Sequence, residues 1–311
     1  MNTILKDNKY YLGIFLSIFL IYFPIKNFSY LSFVEYLTNL ESSYILYSII
    51  ILIFVVYIRT IRWGYLFKNQ PNRNILYKAQ FIGYFGNNVL PLRLGELLRA
   101  FYVGEKENKS KSKVIGTIVL ERIFDLFGCG FLFLIIINTT LFDVLASEYI
   151  YAIILINIIS IALVCFALTL KYEIKEKTNS SIKKIIKDVI IGISNIRKDN
   201  LLPVILTTIV IWLLYALEVY FVQSAFNLNL SIIQCIIILL ISSISMMIPA
   251  MPGNFGTFES SVIYTLSLFN IVDNFGFSFI LHIVSYIPYT FIGFMYFLED
   301  FNYKNMRNII N

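Results

Sequence analysis

The chain has 311 residues, 58% of them hydrophobic and 14% charged, with a mean hydropathy of +0.76. A soluble domain carries about 25% charged residues, so an ordinary soluble fold is excluded. Repeated runs of about 20 apolar residues, without the alternation of a membrane barrel, point to an all-α polytopic membrane protein. The net charge of +6 reflects basic residues gathered in particular loops, not the footprint of a nucleic-acid partner.

In chain order, the first apolar run covers about 10–25, after Lys6 and Lys9. No small-x-small cleavage site follows, so it is expected to remain as an uncleaved span. The second run covers about 44–58 and ends in RTIRWGYLFK. A shorter apolar piece, about 79–92, is interrupted by Gly83, Gly86, Asn87 and Asn88. Long runs follow at about 114–138, 150–170 and 202–225, and a last cluster covers 231–249, 258–272 and 275–298. The pattern predicts about 7–8 transmembrane helices plus broken or re-entrant helices, in one domain over 1–311.

Loop charge sets the orientation. The loop 139–149 holds Asp143 and Glu148 and no Lys or Arg, whereas 171–200 holds eight basic residues, Lys171, Lys175, Lys177, Lys183, Lys184, Lys187, Arg197 and Lys198. Five more lie in 59–78 (Arg59, Arg62, Lys68, Arg73, Lys78) and six in 93–113 (Arg93, Arg99, Lys106, Lys109, Lys111, Lys113). The positive-inside bias therefore predicts a multi-pass protein of the cytoplasmic membrane, with both termini and the segments 59–113 and 171–200 cytoplasmic. The latter segment reads as a basic loop, with amphipathic periodicity in IKKIIKDVIIGI. A full crossing at 79–100 would put one basic cluster outside, so this piece is expected to dip in and return as a hairpin. Irregular backbone at that depth is tolerated only against protein or a watery cavity.

The run 114–138 contains Glu121, Arg122 and Asp125. Counted from Val114 at 1.5 Å per residue, Glu121 lies roughly 10 Å in and Asp125 roughly 16 Å in. The two carboxylates are i,i+4 neighbours and repel unless a cation joins them. Each ionised side chain near mid-bilayer costs about 2.5–3.5 kcal/mol on insertion scales, so the group is expected to face an interior polar cavity. Arg122, with Arg93 or Arg99 from the hairpin, would complete the pairing. Arg93, Glu96 and Arg99 recur at i, i+3, i+6 after Pro91, on one face of a short helix, and a half-helix N-terminus with arginines favours anions, phosphates above all.

A second breaker cluster, PAMPGNFGTFE at 249–259, lies between apolar runs, and P-x-x-x-G recurs at 91–95 and 252–256. Matched broken segments in two halves are the pattern of inverted-repeat transporters. Asn87, Pro91, Gly95, Pro252, Gly253 and Gly256 are the expected hinge positions. Glu259 is a lone carboxylate beside the second break. Glu218 is another, nearer the outer surface, and His282, the single histidine, is expected to satisfy a local hydrogen bond. Cys129, Cys165 and Cys235 lack paired spacing and read as core residues. No metal or cofactor is expected.

NNVLPLRLGELLRAF, ERIFDL and PAMPGNFGTFES, in this order in a polytopic chain, resemble the lysylphosphatidylglycerol synthase transmembrane region family. That family includes the N-terminal flippase domain of the bacterial multiple peptide resistance factor. The resemblance implies movement of lipids or lipid-linked headgroups between leaflets. It matches Arg93, Glu96, Arg99, Arg122, Asp125, Gly253, Gly256 and Glu259 to the family's polar and hinge positions. Full-length synthases add a soluble aminoacyl-transferase domain; this sequence ends at Asn311, soon after its last apolar run, so lipid aminoacylation is not expected of it. Arg93, Glu96, Arg99, Glu121, Arg122, Asp125 and Glu259 are therefore expected to bind an anionic phosphate headgroup. The expected partners are a phospholipid or lipid-linked substrate and the membrane itself. An intramembrane glycosyl- or phosphoryl-transferase, a subunit of an envelope enzyme and a homo-oligomer remain the alternatives.

Overall fold

A computed structural model describes residues 40–90, 94–137, 181–194, 196–247, 252–271 and 275–300, with isolated positions at 38 and between 151 and 162. The first expected span, nearly all of the run 150–170, and Pro91, Arg93 and Cys165 lie outside the described residues. The described residues form helices and no strands. In chain order these are α1 (Ser42–Tyr65), α2 (Arg73–Val89), α3 (Gly95–Lys106), α4 (Lys111–Ile136), α5 (Ser181–Ser194), α6 (Leu201–Ala225), α7 (Ile232–Ser245), α8 (Thr257–Leu268) and α9 (Phe275–Asp300).

Length separates two kinds of helix. Helices α1, α6 and α9 have 24, 25 and 26 residues, or about 36–39 Å, enough for a hydrocarbon core of about 30 Å. All three are apolar enough to cross a membrane. Helix α4 is as long, at 26 residues, but carries the charged triplet. Helices α2, α3, α7 and α8 have 17, 12, 14 and 12 residues, or about 18–25 Å, too short to cross alone. They form two hairpins.

Contacts at the helix ends fix the directions. The Asn200 side chain donates to the Tyr65 carbonyl, while the Glu41 amide donates to the Ala225 carbonyl, so α1 and α6 run antiparallel. Lys78 on α2 and Tyr102 and Lys106 on α3 all bond Asp300 at the end of α9. The α2–α3 hairpin therefore leaves and returns at the Asp300 end of the bundle. The α7–α8 hairpin opens at the opposite end, where Phe226 after α6 packs on Phe277 at the start of α9. The hairpin tips meet halfway along α9. Tyr286 donates to the Asn88 carbonyl at 3.3 Å, and the Asn88 amide donates to Thr290 at 2.8 Å. From the other side, Phe255 packs on Tyr286 with ring centroids 4.9 Å apart. The order long helix, hairpin, long helix thus occurs twice, in opposite directions: α1 to α4, then α6 to α9.

Local sequence makes both hairpins. A Cβ on Gly86 would lie 2.6 Å from the Gly95 Cα, and one on Gly95 would strike the Gly83 carbonyl and the Asn87 amide, so only glycine permits this crossing. In the second break, Gly253 and Gly256 have φ of +74° and +88°, a left-handed backbone that L side chains rarely adopt. Around the hairpins, the core is aliphatic and aromatic, with Val55, Leu132, Phe133, Ile211, Ile237, Val262 and Leu281 buried.

Two sequence expectations need correction, and a third gains detail. The second span does not stop at 58. Its helix runs to Tyr65, so Arg59 and Arg62 are buried in α1 and are not loop residues. They remain in the helix because α4 supplies carboxylates to receive them. The hairpin's first helix begins at Arg73, six residues before the apolar piece, because the Asn72 side chain caps it by accepting from the Asn74 amide. Within the segment 171–200, the amphipathic stretch Ser181–Ser194 forms helix α5. Helix α5 packs on α4 where Gly116 faces Gly192, with each one's added Cβ within 3 Å of the other's Cα.

Candidate functional site

Seven charged side chains from α1, α3 and α4 converge in the half of the bundle nearer Asp300. Two of them, Arg59 and Arg62, come from α1 at i,i+3, and Glu121 and Asp125 come from α4 at i,i+4. These spacings place each pair on one helix face. The Arg59 Nη2 lies 2.8 Å from Glu121 and 3.2 Å from Asp125. The Arg62 Nη2 lies 3.3 Å from Glu121 and 2.7 Å from Asp125. The mutual repulsion of the two carboxylates is thereby cancelled twice over.

Helix α3 adds Arg99, whose Nη1 is 2.9 Å from the Glu121 Oε2. The same Nη1 donates to the Gln80 side chain at 2.8 Å. The Arg99 guanidinium lies 4.8 Å from the centroid of the Trp63 ring, a cation–π contact. Its stem passes where Gly83 has no side chain; a Cβ there would sit 2.9 Å from the Arg99 Cδ. Trp63 is held in turn by donating to Thr117 at 3.0 Å.

The cluster is graded from sealed to open. Glu121 and Arg62 are fully buried and Arg59 and Arg99 nearly so. The Asp125 side chain is 14% exposed, Glu96 33% and Arg122 44%. Arg122 bridges the open edge, with Nε 2.9 Å from Glu96 and Nη1 3.0 Å from Asp125. Four guanidiniums against three carboxylates leave one positive charge among the described residues. Arg93, between α2 and α3 in the sequence, lies outside the described residues. Glu96, Arg99, Glu121, Arg122 and Asp125 are thus brought together, while Glu259 stands apart.

Glu259 sits in the first turn of α8. Its Oε2 accepts from the Gly256 amide at 2.7 Å, and its Oε1 lies 2.6 Å from the His282 Nδ1 on α9. His282 is boxed by Phe255, Phe258 and Tyr286, with ring centroids 4.7, 4.8 and 5.7 Å away. Glu259 and His282 are both buried, so this pair ties the second hairpin to α9 without an open edge.

Sequence reasoning missed Arg59, Arg62 and their supports. Arg62 donates to Thr208 at 3.2 Å and Arg59 to Tyr215 at 3.4 Å, both on α6. The available signal was the helical register: Arg59, Arg62 and Trp63 continue the buried face of α1 set by Ser48, Leu52, Val55 and Val56. Counting them as loop charge hid that register.

Comparison with known proteins identifies the relatives of this arrangement. The family model described as the lysylphosphatidylglycerol synthase TM region matches residues 10–293. A UPF0104 membrane protein of Methanocaldococcus jannaschii is 30% identical over 225 residues, covering 70% of this chain and 95% of the relative. A second from the same organism is 24% identical over 291 residues, covering 84% of this chain and 86% of the relative. One from Methanothermobacter thermautotrophicus is 26% identical over 228 residues, covering 67% and 68%. No solved structure matches. With the match spanning nearly the whole helical bundle, the chain is a membrane protein belonging to the lysylphosphatidylglycerol synthase TM region family.

Proposed function

We propose that this protein is a lipid translocase of the cytoplasmic membrane, with Arg122 as the group that meets an anionic phosphate headgroup. The observation that carries this reading is the open edge of the charge cluster. Arg122 is 44% exposed yet held by Glu96 and Asp125, above a buried network with an excess positive charge. A phosphate arriving at that edge finds a preoriented guanidinium and a compensating charge, while acyl tails remain in lipid. Arg93, on the adjoining link, is the second candidate ligand. Arg59, Arg62 and Arg99 serve from behind, by fixing Glu121 and Asp125. The Asp300 end, flanked by basic segments, is the cytoplasmic end on this reading. Membership in a family of membrane regions from a lipid synthase supports a lipid substrate.

Charge-assisted hydrogen bonds contribute about 1.5–3 kcal/mol each, so losing the Arg122 contact weakens headgroup binding about 10- to 100-fold. The test is translocation of a fluorescent anionic phospholipid by purified protein in proteoliposomes. Arg122→Ala should lose it, and Arg122→Lys should retain part, because a lysine keeps the charge without the planar fork. Undiminished translocation by a normally folded Arg122→Ala protein would overturn the assignment.

A further inference from the structure

Glu218 belongs to neither charge group described above. It lies on α6, seven residues before the helix ends at Ala225, about 10 Å below that end of the bundle. The residue is 6% exposed, and its Oε1 is enclosed with no hydrogen-bond partner among the described residues. Among the described residues no ion pair reaches it. Among the described residues, Cys235 on α7 and Tyr289 on α9 lie within electrostatic reach of it. Tyr289 is already engaged, donating to the Leu52 carbonyl at 3.1 Å and stacking on Tyr84 of α2 at 4.6 Å. Cys235 is buried and uncharged as a thiol. A bare carboxylate so placed would carry an uncompensated charge costing several kcal/mol. A proton on the carboxyl removes that charge without requiring any further ligand.

The same face of α6 leads back to the charge cluster. Tyr215 lies three residues from Glu218 and Thr208 two turns beyond, and these two accept from Arg59 and Arg62. The guanidiniums that hold Glu121 and Asp125 are thus joined by one rigid helix to the Glu218 carboxyl.

We propose that Glu218 is a proton-binding site, and that its proton is taken up and released as the headgroup site fills and empties. The site stands on burial and missing partners alone; the coupling rests on the translocase reading. An anion at Arg122 offsets the cluster's excess positive charge and favours a proton at Glu218. By linkage, the proton favours the anion equally. Uptake is the simple addition of H+ to the carboxylate oxygen, and release is its reverse.

Infrared spectroscopy of the purified full chain in lipid nanodiscs tests the site. A carbonyl stretch of a carboxylic acid free of hydrogen bonds is expected at neutral pH, lost in Glu218→Gln and retained in Glu259→Gln. Identical carbonyl regions in wild type and Glu218→Gln would overturn the proposal. Should Glu218→Gln not fold, dicyclohexylcarbodiimide decides on the wild type. It adds to protonated carboxyls in apolar surroundings to give an N-acylurea, with no leaving group. Mass spectrometry should find the adduct at Glu218 at neutral pH, and an unmodified Glu218 would count against the site. Coupling is then read in proteoliposomes with the membrane potential clamped. With one proton moved per lipid, a one-unit pH gradient shifts the steady-state lipid distribution about tenfold, and Glu218→Gln should lose that shift. A carbonyl signal without gradient dependence overturns the coupling alone, whereas translocation indifferent to both the gradient and Arg122→Ala overturns the translocase reading and leaves the protonated site standing.

Discussion

Glu121 is the residue on which the buried network turns, and Glu121→Gln is its sharpest perturbation. The wild-type carboxylate touches Arg59, Arg62 and Arg99 at 2.8, 3.3 and 2.9 Å and is fully buried. The amide keeps the volume but removes one negative charge, and the cluster's excess of one positive charge becomes two. Breaking a buried pair by removing one partner costs about 3–5 kcal/mol, because the remaining charge stays desolvated. Three arginines share this loss, and Asp125 compensates two of them, so the middle of that range is expected. At roughly 2–4 °C per kcal/mol for a domain of 150–250 residues, the melting temperature falls by on the order of 10 °C. Thermal unfolding in one detergent, followed by Trp63 and Trp212 fluorescence, is the assay. The partner experiment is Glu121→Leu with Arg99→Leu, which removes an apposed pair and should cost less than Glu121→Leu alone. A melting temperature within about 2 °C of wild type, less than about 1 kcal/mol, would refute the view that these charges are desolvated and mutually dependent.

The remaining predictions follow the same structure. Arg122→Ala should change stability by less than about 1 kcal/mol, since both it and Glu96 are partly exposed, whereas Arg59→Ala should cost about 3–5 kcal/mol; equal melting shifts would contradict the grading from sealed to open. Gly95→Ala puts a methyl against the Gly83 carbonyl and Asn87 amide, and overpacking of about 1–3 kcal/mol should lower the melting temperature. Glu259→Gln and His282→Gln should each destabilise by about 1.5–3 kcal/mol and fail to add in the double variant. In a background lacking Cys129, Cys165 and Cys235, Glu96→Cys should react with a charged thiol reagent much faster than Glu259→Cys; comparable rates would show the second pair to be open as well.

Much of the fold was legible because apolar run length is a one-dimensional property. The runs 202–225 and 275–298 correspond closely to α6 and α9, and the breakers at 87–95 and 249–259 mark both hairpin tips. Glycine with positive φ at 253 and 256 is a local demand that sequence exposes directly. The charge cluster was half legible. Glu121, Arg122 and Asp125 announce themselves by lying inside an apolar run, where each charge is costly. Arg59 and Arg62 do not, since they fall at the edge of such a run and look like loop charge. Their burial depends on α1 meeting α4 across 62 residues of chain, from Arg59 to Glu121, a tertiary fact with no local sign. Glu259 looked solitary for the same reason, because His282 reaches it only through the packing of α8 on α9.

The two halves answer the same physical problem differently, and that difference bears on the proposed site. In each half P-x-x-x-G precedes a short helix whose first turn carries a carboxylate, Glu96 or Glu259, where the helix N-terminus favours negative charge. In each half that carboxylate reaches a basic residue on the next long helix, Arg122 at 2.9 Å or His282 at 2.6 Å. The second pair is closed, with aromatic rings around the imidazole and side chains only 4% and 7% exposed. The first is open at 33% and 44%, and behind it stand three more arginines. A closed pair, with both partners buried and hydrogen-bonded to each other, secures a hairpin and offers no accessible group to a ligand. An open pair backed by surplus positive charge holds its hairpin and keeps a guanidinium accessible, so on the proposed translocase reading the first half is where a phosphate would be received.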